Sequence, residues 1–248
     1  MAALRAAGCV FAEDEADILV GAGGSLEDLV RRRADGIPLE HLVGWAEFAG
    51  LRITVDPGVF VPRRRTEWLV REAAALARAR YHRPVIVDLC CGTGAIAAAL
   101  TAALGDLEVY AADADPRAVA CARKNLPHAS VSAGDLFDAL PVDLRGRIDI
   151  LAANVPYVPS GKIGLMPPEA RDHEALMALD GGGDGLDIAR RVSVGAVTWL
   201  APGGHVLVEA SERQADLAVA MFTADGLTAR FTQDDEIGAT VIIATRPT

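Results

Sequence analysis

An alternation of apolar strands with helices, which begins after Pro84, constrains the fold more than any other feature of this sequence. The first five strands are predicted at Val85–Leu89, Glu108–Ala112, Ala129–Ser132, Ile148–Ala153 and Gly204–Ala210. The helices among them are predicted at Gly94–Ala103, Pro116–Asn125, Leu186–Leu200 and Glu212–Ala224. Strands that alternate with helices in this way indicate parallel βαβ units in a doubly wound sheet.

The two remaining strands, Leu227–Thr232 and Thr240–Ala244, are joined only by residues 233–239. A parallel pair needs a crossover of about a dozen residues, so the last strand should run antiparallel to its neighbour. We therefore predict an α/β fold with a Rossmann-like, mostly parallel sheet of seven strands and an antiparallel last strand. A long irregular insert is predicted between residues 156 and 185.

Three segments are predicted along the chain. Residues 1–36 form a short helical N-terminal segment, residues 37–62 a β-hairpin linker, and residues 63–248 the main α/β domain. Turn glycines between alternating segments indicate the hairpin. Thr66 is the expected N-cap of the helix that follows the linker.

The N-terminal segment should hold two helices, Glu13–Val20 and Leu26–Arg33. Ser25 stands where an N-cap is preferred before the second helix. Asp28 follows three residues later, at the spacing of a capping box. The segment is too short for a core of its own, so we expect it to pack on the main domain.

The charge balance bears on possible partners. The formal net charge is −10, from 24 Lys and Arg against 34 Asp and Glu. A net negative chain lacks the field that draws proteins to phosphate backbones, so nucleic acid is a disfavoured partner. The runs Arg31-Arg32-Arg33 and Arg63-Arg64-Arg65 are expected to be solvated surface charge.

Cysteine spacing and hydropathy indicate a cytoplasmic protein. The four cysteines lack C-x-x-C spacing, which favours reduced thiols over a disulfide set or a metal site. No apolar stretch reaches the roughly 18 residues of a membrane helix. The first residues, Met1 to Arg5, are only briefly apolar before an acidic stretch, which argues against a signal peptide.

A glycine turn after the first predicted strand of the main domain is typical of a nucleotide-like ligand site. The stretch Asp88-Leu89-Cys90-Cys91-Gly92-Thr93-Gly94 joins strand to helix, where exposed backbone N–H groups can meet a ligand. Asp113 ends the next strand and could accept hydrogen bonds from a ribose diol. Asp135 and Leu136 follow the strand after that, where they could meet an adenine. These features suit NAD and S-adenosylmethionine equally.

The segment Asn154-Val155-Pro156-Tyr157 ends the strand Ile148–Ala153, at the sheet edge where α/β proteins bind ligands. An amide nitrogen is a poor nucleophile because its lone pair is delocalised. Two acceptors that grip its N–H bonds would favour a pyramidal nitrogen and direct its lone pair. The side-chain oxygen of Asn154 and the carbonyl of Val155 can be those acceptors. Pro156 holds Val155 extended, and Tyr157 offers a flat face to a planar group.

This tetrapeptide resembles the Asn-Pro-Pro-Tyr motif of class I S-adenosylmethionine-dependent methyltransferases that modify planar amides or amines. Three further stretches are similar to the protein-(glutamine-N5) methyltransferases. They are Ile37-Pro38-Leu39-Glu40-His41-Leu42-Val43-Gly44, Val59-Phe60-Val61-Pro62-Arg63 with Thr66-Glu67, and Ala178-Leu179-Asp180-Gly181-Gly182-Gly183-Asp184-Gly185-Leu186. The resemblance runs from about residue 36 to the C-terminus.

The resemblance implies methyl transfer from S-adenosyl-L-methionine to the side-chain amide nitrogen of a protein glutamine, with S-adenosyl-L-homocysteine as product. A peptide chain release factor is one candidate substrate. Asn154 would be the catalytic acceptor of the glutamine N–H, and Val155, Pro156 and Tyr157 would bind the same side chain. We assign the cofactor site to Asp88, Cys90, Cys91, Gly92, Thr93, Gly94, Asp113, Asp135, Leu136 and Asn154, with no metal ligand.

Two departures from the family pattern leave the substrate open. Val155 replaces the first proline of the tetrapeptide, although its carbonyl remains. The N-terminal region is also shorter than the helical bundle with which release-factor enzymes recognise their substrate. Three other functions are weighed: an N6-adenine-type nucleic acid methyltransferase, a dinucleotide-binding dehydrogenase, and a cofactor-binding module without activity. The net charge and the Gly181–Leu186 stretch disfavour the first of these.

Overall fold

The computed structural model describes residues 1–80 and 82–248. Its strands are β1 Trp45–Phe48, β2 Leu51–Thr54, β3 Val85–Leu89, β4 Glu108–Asp113, β5 Ser130–Ala133, β6 Ile148–Ala153, β7 Leu200–Glu209, β8 Thr228–Asp234 and β9 Ala239–Thr245. Its α-helices are α1 Ala2–Ala6, α2 Ala12–Gly21, α3 Leu26–Ala34, α4 Leu39–Val43, α5 Glu67–Arg80, α6 Ala95–Leu104, α7 Pro116–Asn125, α8 Pro168–His173, α9 Asp187–Trp199 and α10 Ala215–Ala224.

The central sheet has the predicted form. Its strand order is β5-β4-β3-β6-β7-β9-β8, and the pairs from β5 to β7 are parallel. The last strand, β9, lies between β7 and β8 and runs antiparallel to both. Among strands the largest departure from prediction is β7, which begins at Leu200 rather than Gly204, and α9 accordingly ends one residue earlier than predicted, at Trp199. Because the parallel strands share a direction, the residues that follow them meet at one edge of the sheet.

Side chains alternate between the two faces of the sheet, since successive residues of a strand point in opposite directions. Val87 and Leu151 pack with helices α9 and α10, whereas Ile86 and Ile150 pack with α5 and α6. All four side chains are fully buried. The sheet is therefore covered on both faces, as its near-continuous apolar strands require.

The predicted hairpin is confirmed as β1 and β2, which pair from Trp45–Thr54 to Phe48–Leu51. Phe48 and Ile53 enter the core beside α5 and α6. The side-chain amide of Asn125 accepts from Thr54 N–H and donates to the carbonyls of Thr54 and Thr93. These bonds fix the hairpin against the glycine turn.

The N-terminal segment contains the two predicted helices, as α2 and α3, together with short α1 and α4. The Ser25 side chain accepts from the backbone N–H of Asp28 at 3.3 Å, which confirms the predicted cap. The Asp28 carboxylate completes no capping box, because it pairs with Arg31 instead. None of the helices in the described residues is long and apolar enough to span a bilayer.

The prediction that both arginine runs are solvated is wrong for one member of each run. Arg33 is only 6% exposed and binds Glu15 at 2.7 Å and Glu169 at 2.6 Å. Arg63 donates to Glu174 at 2.6 Å, and the Glu174 side chain is fully buried. Glu169 and Glu174 belong to the insert, so these ion pairs fasten it to the N-terminal segment and to the start of the main domain. Arg65 is exposed as predicted, although it pairs with a buried acid of the site.

The insert itself is more regular than predicted. It contains α8 and short 3₁₀ turns at Ser160–Leu165 and Leu176–Ala178. A parallel bridge between Val158 and Asp180 brings its two ends together.

The buried acid Asp88 supports the turn after β3 from beneath. One carboxylate oxygen accepts from the backbone N–H of Ala97 at 3.1 Å in the first turn of α6. The other oxygen has no hydrogen-bond partner among the described residues. Burial raises the pKa of Asp88 to about 7.

Replacement of Ala49 by Asn should stabilise the hairpin. Ala49 and Gly50 form its two-residue turn with φ of 51° and 74°, and a residue other than glycine is strained at such angles. Asn tolerates this conformation, so we expect Ala49→Asn to raise the free energy of unfolding by about 0.5–1 kcal/mol in urea titrations. Gly50→Ala is the matched control and should lower it, because only backbone strain is added. A less stable Asn variant would contradict this account.

Asp88→Asn should remove a pH dependence of stability. A folded-state pKa near 7 lies above the unfolded value, so the stability linked to Asp88 is present below about pH 4 and is lost as pH rises through 7. Relative to the parent, we expect the free energy of unfolding of the variant to increase by more than about 1.4 kcal/mol from pH 5 to pH 8. This is the equivalent of one pKa unit. Urea unfolding without cofactor at both pH values measures these free energies. A difference between variant and parent that is the same at pH 5 and pH 8 would refute the raised pKa of Asp88.

Candidate functional site

A cavity of about 880 Å³ opens at the carboxyl edge of the parallel strands. This is within the usual range for small-ligand sites. The predicted site residues that line it are Cys90, Cys91, Gly92, Thr93, Asp113, Asp135, Leu136, Asn154, Val155, Pro156 and Tyr157. Of the predicted site residues, Asp88 and Gly94 do not line the cavity. Both support the turn instead, Asp88 from beneath α6 and Gly94 as the left-handed residue that precedes the helix.

The turn after β3 is fixed by Asp113 at the end of β4. One Asp113 oxygen accepts from Gly92 N–H at 2.9 Å, and the other accepts from Asp115 N–H at 2.8 Å. Burial raises the pKa of Asp113, while these two backbone bonds oppose that change. The carboxylate thus lies in the cavity wall beside the glycine turn, where a ligand's hydroxyl groups could reach it.

The two cysteines of the turn are inert thiols. Burial raises the pKa of Cys90 and of Cys91, so both stay protonated near neutral pH. Cys90 adopts φ of 55°, a conformation that favours glycine. Within residues 1–80 and 82–248, no group of three or more His, Cys, Asp and Glu could hold a metal ion.

The part of the cavity beyond β5 is built from Asp135, Leu136 and helix α9. Leu136 is buried, and Ile188 of α9 also lines the cavity. The Asp135 carboxylate pairs with Arg191 of α9 at 2.6 Å. Asp135 is therefore in the predicted place but is engaged by an arginine that the sequence pattern did not reveal.

The tetrapeptide after β6 presents unpaired oxygens at the cavity wall. The side-chain oxygen of Asn154 and the carbonyl of Val155 accept no hydrogen bond from any described residue. The Asn154 side-chain nitrogen donates to the Thr66 hydroxyl at 3.4 Å. Two acceptors are thus available at the position where the sequence predicts a grip on an amide.

The stretch Gly181–Leu186 braces the tetrapeptide from behind. A Cβ at Gly181 would lie 2.6 Å from the carbonyl oxygen of Pro156, and one at Gly185 would lie 2.2 Å from that of Tyr157. The side-chain amide of Gln214 donates to the same Tyr157 carbonyl at 3.0 Å. Backbone thus packs directly on backbone, which only glycine permits here.

A buried acid at the end of β7, Glu209, also belongs to the site. The sequence did not indicate its hydrogen-bond partners. Glu209 is 1% exposed and accepts hydrogen bonds from Arg65, Thr66 and Tyr157. Thr66 was predicted as an N-cap, but its hydroxyl donates to Glu209 instead. From the sequence, the position of Glu209 near a strand end suits a cofactor contact and a plain helix-preceding acid equally, and its partners Arg65, Thr66 and Tyr157 are evident only in the structure.

The donor set fits S-adenosylmethionine. The glycine turn offers a close backbone approach, Asp113 offers carboxylate oxygens for hydroxyl groups, and Leu136 with Ile188 offers an apolar surface for a flat ring. The unpaired oxygens of Asn154 and Val155 line the same cavity.

Comparison with known proteins agrees with this architecture. The methyltransferase small domain family matches residues 50–191. A release factor glutamine methyltransferase of Mycolicibacterium smegmatis is 42% identical over 206 residues, which cover 82% of this chain and 72% of the relative. A 4-amino-L-phenylalanine/4-methylamino-L-phenylalanine methyltransferase of Streptomyces pristinaespiralis is 37% identical over 203 residues, which cover 79% and 69%.

A solved structure shows the same fold at low sequence identity. The methyltransferase from Pyrococcus furiosus superposes with a TM-score of 0.58 at 15% identity and covers 80% of this chain and 90% of its own. This neighbour and the sheet topology confirm the predicted fold class, and the matched family with its relatives confirms the predicted cofactor. With its motifs, its sheet and its relatives in agreement, the chain belongs to the release factor glutamine methyltransferase family of S-adenosylmethionine-dependent methyltransferases.

Proposed function

We propose that this enzyme transfers a methyl group from S-adenosylmethionine to the side-chain amide nitrogen of a glutamine in a protein, with a release factor as the first candidate substrate. The observation that carries this proposal is the pair of unpaired oxygens, on Asn154 and Val155, in the wall of the cavity that the glycine turn also lines. A primary amide has two N–H donors, and the site offers two acceptors.

The acceptor side chain would be held by the tetrapeptide. The oxygens of Asn154 and Val155 accept the two N–H bonds, which draws electron density onto nitrogen and orients its lone pair. Tyr157 lies beside them in the wall, and its hydroxyl donates to Glu209 at 2.9 Å, which restrains the ring. Burial raises the pKa of Tyr157, so this hydroxyl remains protonated and keeps donating.

The turn after β3, Asp113 and Leu136 would hold the cofactor. When bound, S-adenosylmethionine supplies an electrophilic methyl group. The N–H proton of the methylated amide can leave to water, so the chain needs no general base. Positioning of the acceptor then supplies most of the catalysis.

The name of the Streptomyces relative gives an aromatic amine as its substrate. An arylamine nitrogen also has two N–H donors and a delocalised lone pair, so the same two oxygens could hold it. Transfer of label from S-adenosylmethionine to release factors, 4-amino-L-phenylalanine, RNA and DNA compares these acceptors directly. We expect the label on release factor protein, and label on nucleic acid or on the free amine alone would overturn the proposal. We propose the cytoplasm as its location, in keeping with four free thiols.

Removal of the Asn154 carboxamide should slow the reaction strongly. Loss of one hydrogen bond to the reacting group typically costs about 100-fold or more in kcat. We therefore expect Asn154→Ala to lose about 100-fold in kcat in a methyl-transfer assay. Val155→Pro is the matched control, because it keeps the carbonyl and restores the family motif, and it should retain activity within a few-fold. An Asn154→Ala enzyme with parental kcat would refute the proposed grip.

A methyl group at Gly185 should displace the tetrapeptide. Its Cβ would lie 2.2 Å from the Tyr157 carbonyl oxygen and 2.4 Å from the Gln214 amide nitrogen, and the residue has φ of +82°. A displacement of about 1 Å can cost 100-fold, so we expect Gly185→Ala to lose more than about tenfold in kcat. Gly183→Ala is the control, since its Cβ meets no described atom within 4 Å. Equal kcat values for both variants would show that the brace does not matter.

A further inference from the structure

The buried carboxylate of Glu209 ends a chain of hydrogen bonds that begins at Asn154. The Asn154 side-chain nitrogen donates to the Thr66 hydroxyl oxygen at 3.4 Å, and that hydroxyl donates to Glu209 Oε2 at 2.6 Å. The other oxygen, Oε1, accepts from Arg65 Nε and from the Tyr157 hydroxyl, each at 2.9 Å. Both oxygens of the carboxylate are thus occupied by donors.

The direction of these bonds follows from the chemistry of the groups. A carboxylate can only accept hydrogen bonds, so the single O–H of Thr66 must be donated to Glu209. The Thr66 oxygen then has only lone pairs to offer Asn154, and only an N–H can face lone pairs favourably. The Asn154 carboxamide is therefore oriented with its nitrogen toward Thr66 and its oxygen toward the opposite side.

We propose that Thr66 and Glu209 are positioning residues for methyl transfer, because they fix which end of the Asn154 carboxamide meets the acceptor. This inference rests on the proposed function, in which the Asn154 oxygen grips an N–H of the acceptor. A reversed carboxamide would present N–H to N–H and could not hold the substrate. Neither Thr66 nor Glu209 needs to touch the acceptor for this role.

The network has the rigidity that such a role needs. Thr66 is 3% exposed and Glu209 is 1% exposed, so water does not compete freely for their bonds. Glu209 lies at the end of β7, and Thr66 lies just before α5, so the chain of bonds joins a strand end to a helix start across the sheet edge. The positive charge of Arg65 offsets the negative charge of the buried Glu209 carboxylate.

Three variants test the inference on the full chain with the release factor as acceptor. Thr66→Val removes the hydroxyl at nearly constant volume, and Thr66→Ser keeps it. Glu209→Gln keeps the shape of the side chain but replaces one acceptor oxygen with an N–H donor. Its oxygen would remain with Arg65 and Tyr157, its nitrogen would face Thr66, and the bond to Asn154 would then favour the reversed carboxamide.

We expect Thr66→Val and Glu209→Gln each to lose at least about tenfold in kcat, with a smaller change in KM for the release factor. Thr66→Ser should stay within a few-fold of the parent. Cofactor affinity, measured by calorimetry, should stay within a few-fold in all three variants. A role in packing alone would instead make Glu209→Gln nearly silent, and that result would overturn the inference.

The Asn154→Ala background separates this inference from the proposed function. If Thr66 acts through Asn154, Thr66→Val should cost nothing further once the carboxamide is gone. The positioning role would be overturned if the kcat losses of Thr66→Val and Asn154→Ala added fully in the double variant. It would also be overturned if Thr66→Val alone kept the parental kcat. Neither result would affect the proposed grip of the acceptor amide by Asn154. Parental kcat in Asn154→Ala would instead overturn the proposed function, and the positioning role with it.

Discussion

The close packing of Gly181 and Gly185 on the backbone of Pro156 and Tyr157 is the contact on which the site depends. A strand end followed by a loop is ordinarily mobile, yet here the loop is confined from behind by backbone and by the Gln214 side chain. From the other side, Glu209 holds the Tyr157 hydroxyl. The tetrapeptide is therefore fixed between two supports before any substrate arrives, which is the condition for positioning to contribute to catalysis.

The same contact explains a sequence motif in physical terms. In the sequence, the stretch from Ala178 to Leu186 shows a resemblance to a family segment and no evident structural role. In the structure its glycines allow the insert to return to the end of β6, where the bridge between Val158 and Asp180 closes the insert at its base. Two ion pairs, from Arg33 and Arg63, hold the remainder of the insert. The insert therefore acts as part of the cavity wall, to which Met166 and Leu179 also contribute.

The sheet and the strand-end residues could be predicted because their signals are local. An apolar run, a glycine turn and a terminal acid such as Asp113 lie within a few residues of one another, and parallel topology alone brings several such ends together. The ion pairs of the site could not be predicted, because Arg65 and Glu209 are far apart in the sequence and no residue near either one indicates the other as its partner. The same holds for Asp135 and Arg191. The charge run 63–65 looks uniform in sequence, but Arg63 and Arg65 pair with buried acids, although Arg65 itself is exposed.

All of these supports serve one proposed interaction, the grip of the acceptor amide by Asn154 and Val155. A crystal structure of the chain with S-adenosylhomocysteine and a glutamine-containing release factor fragment tests it most directly. We expect the glutamine side-chain nitrogen to lie about 3 Å from both the Asn154 side-chain oxygen and the Val155 carbonyl oxygen. A glutamine nitrogen bound outside the reach of these oxygens would contradict it.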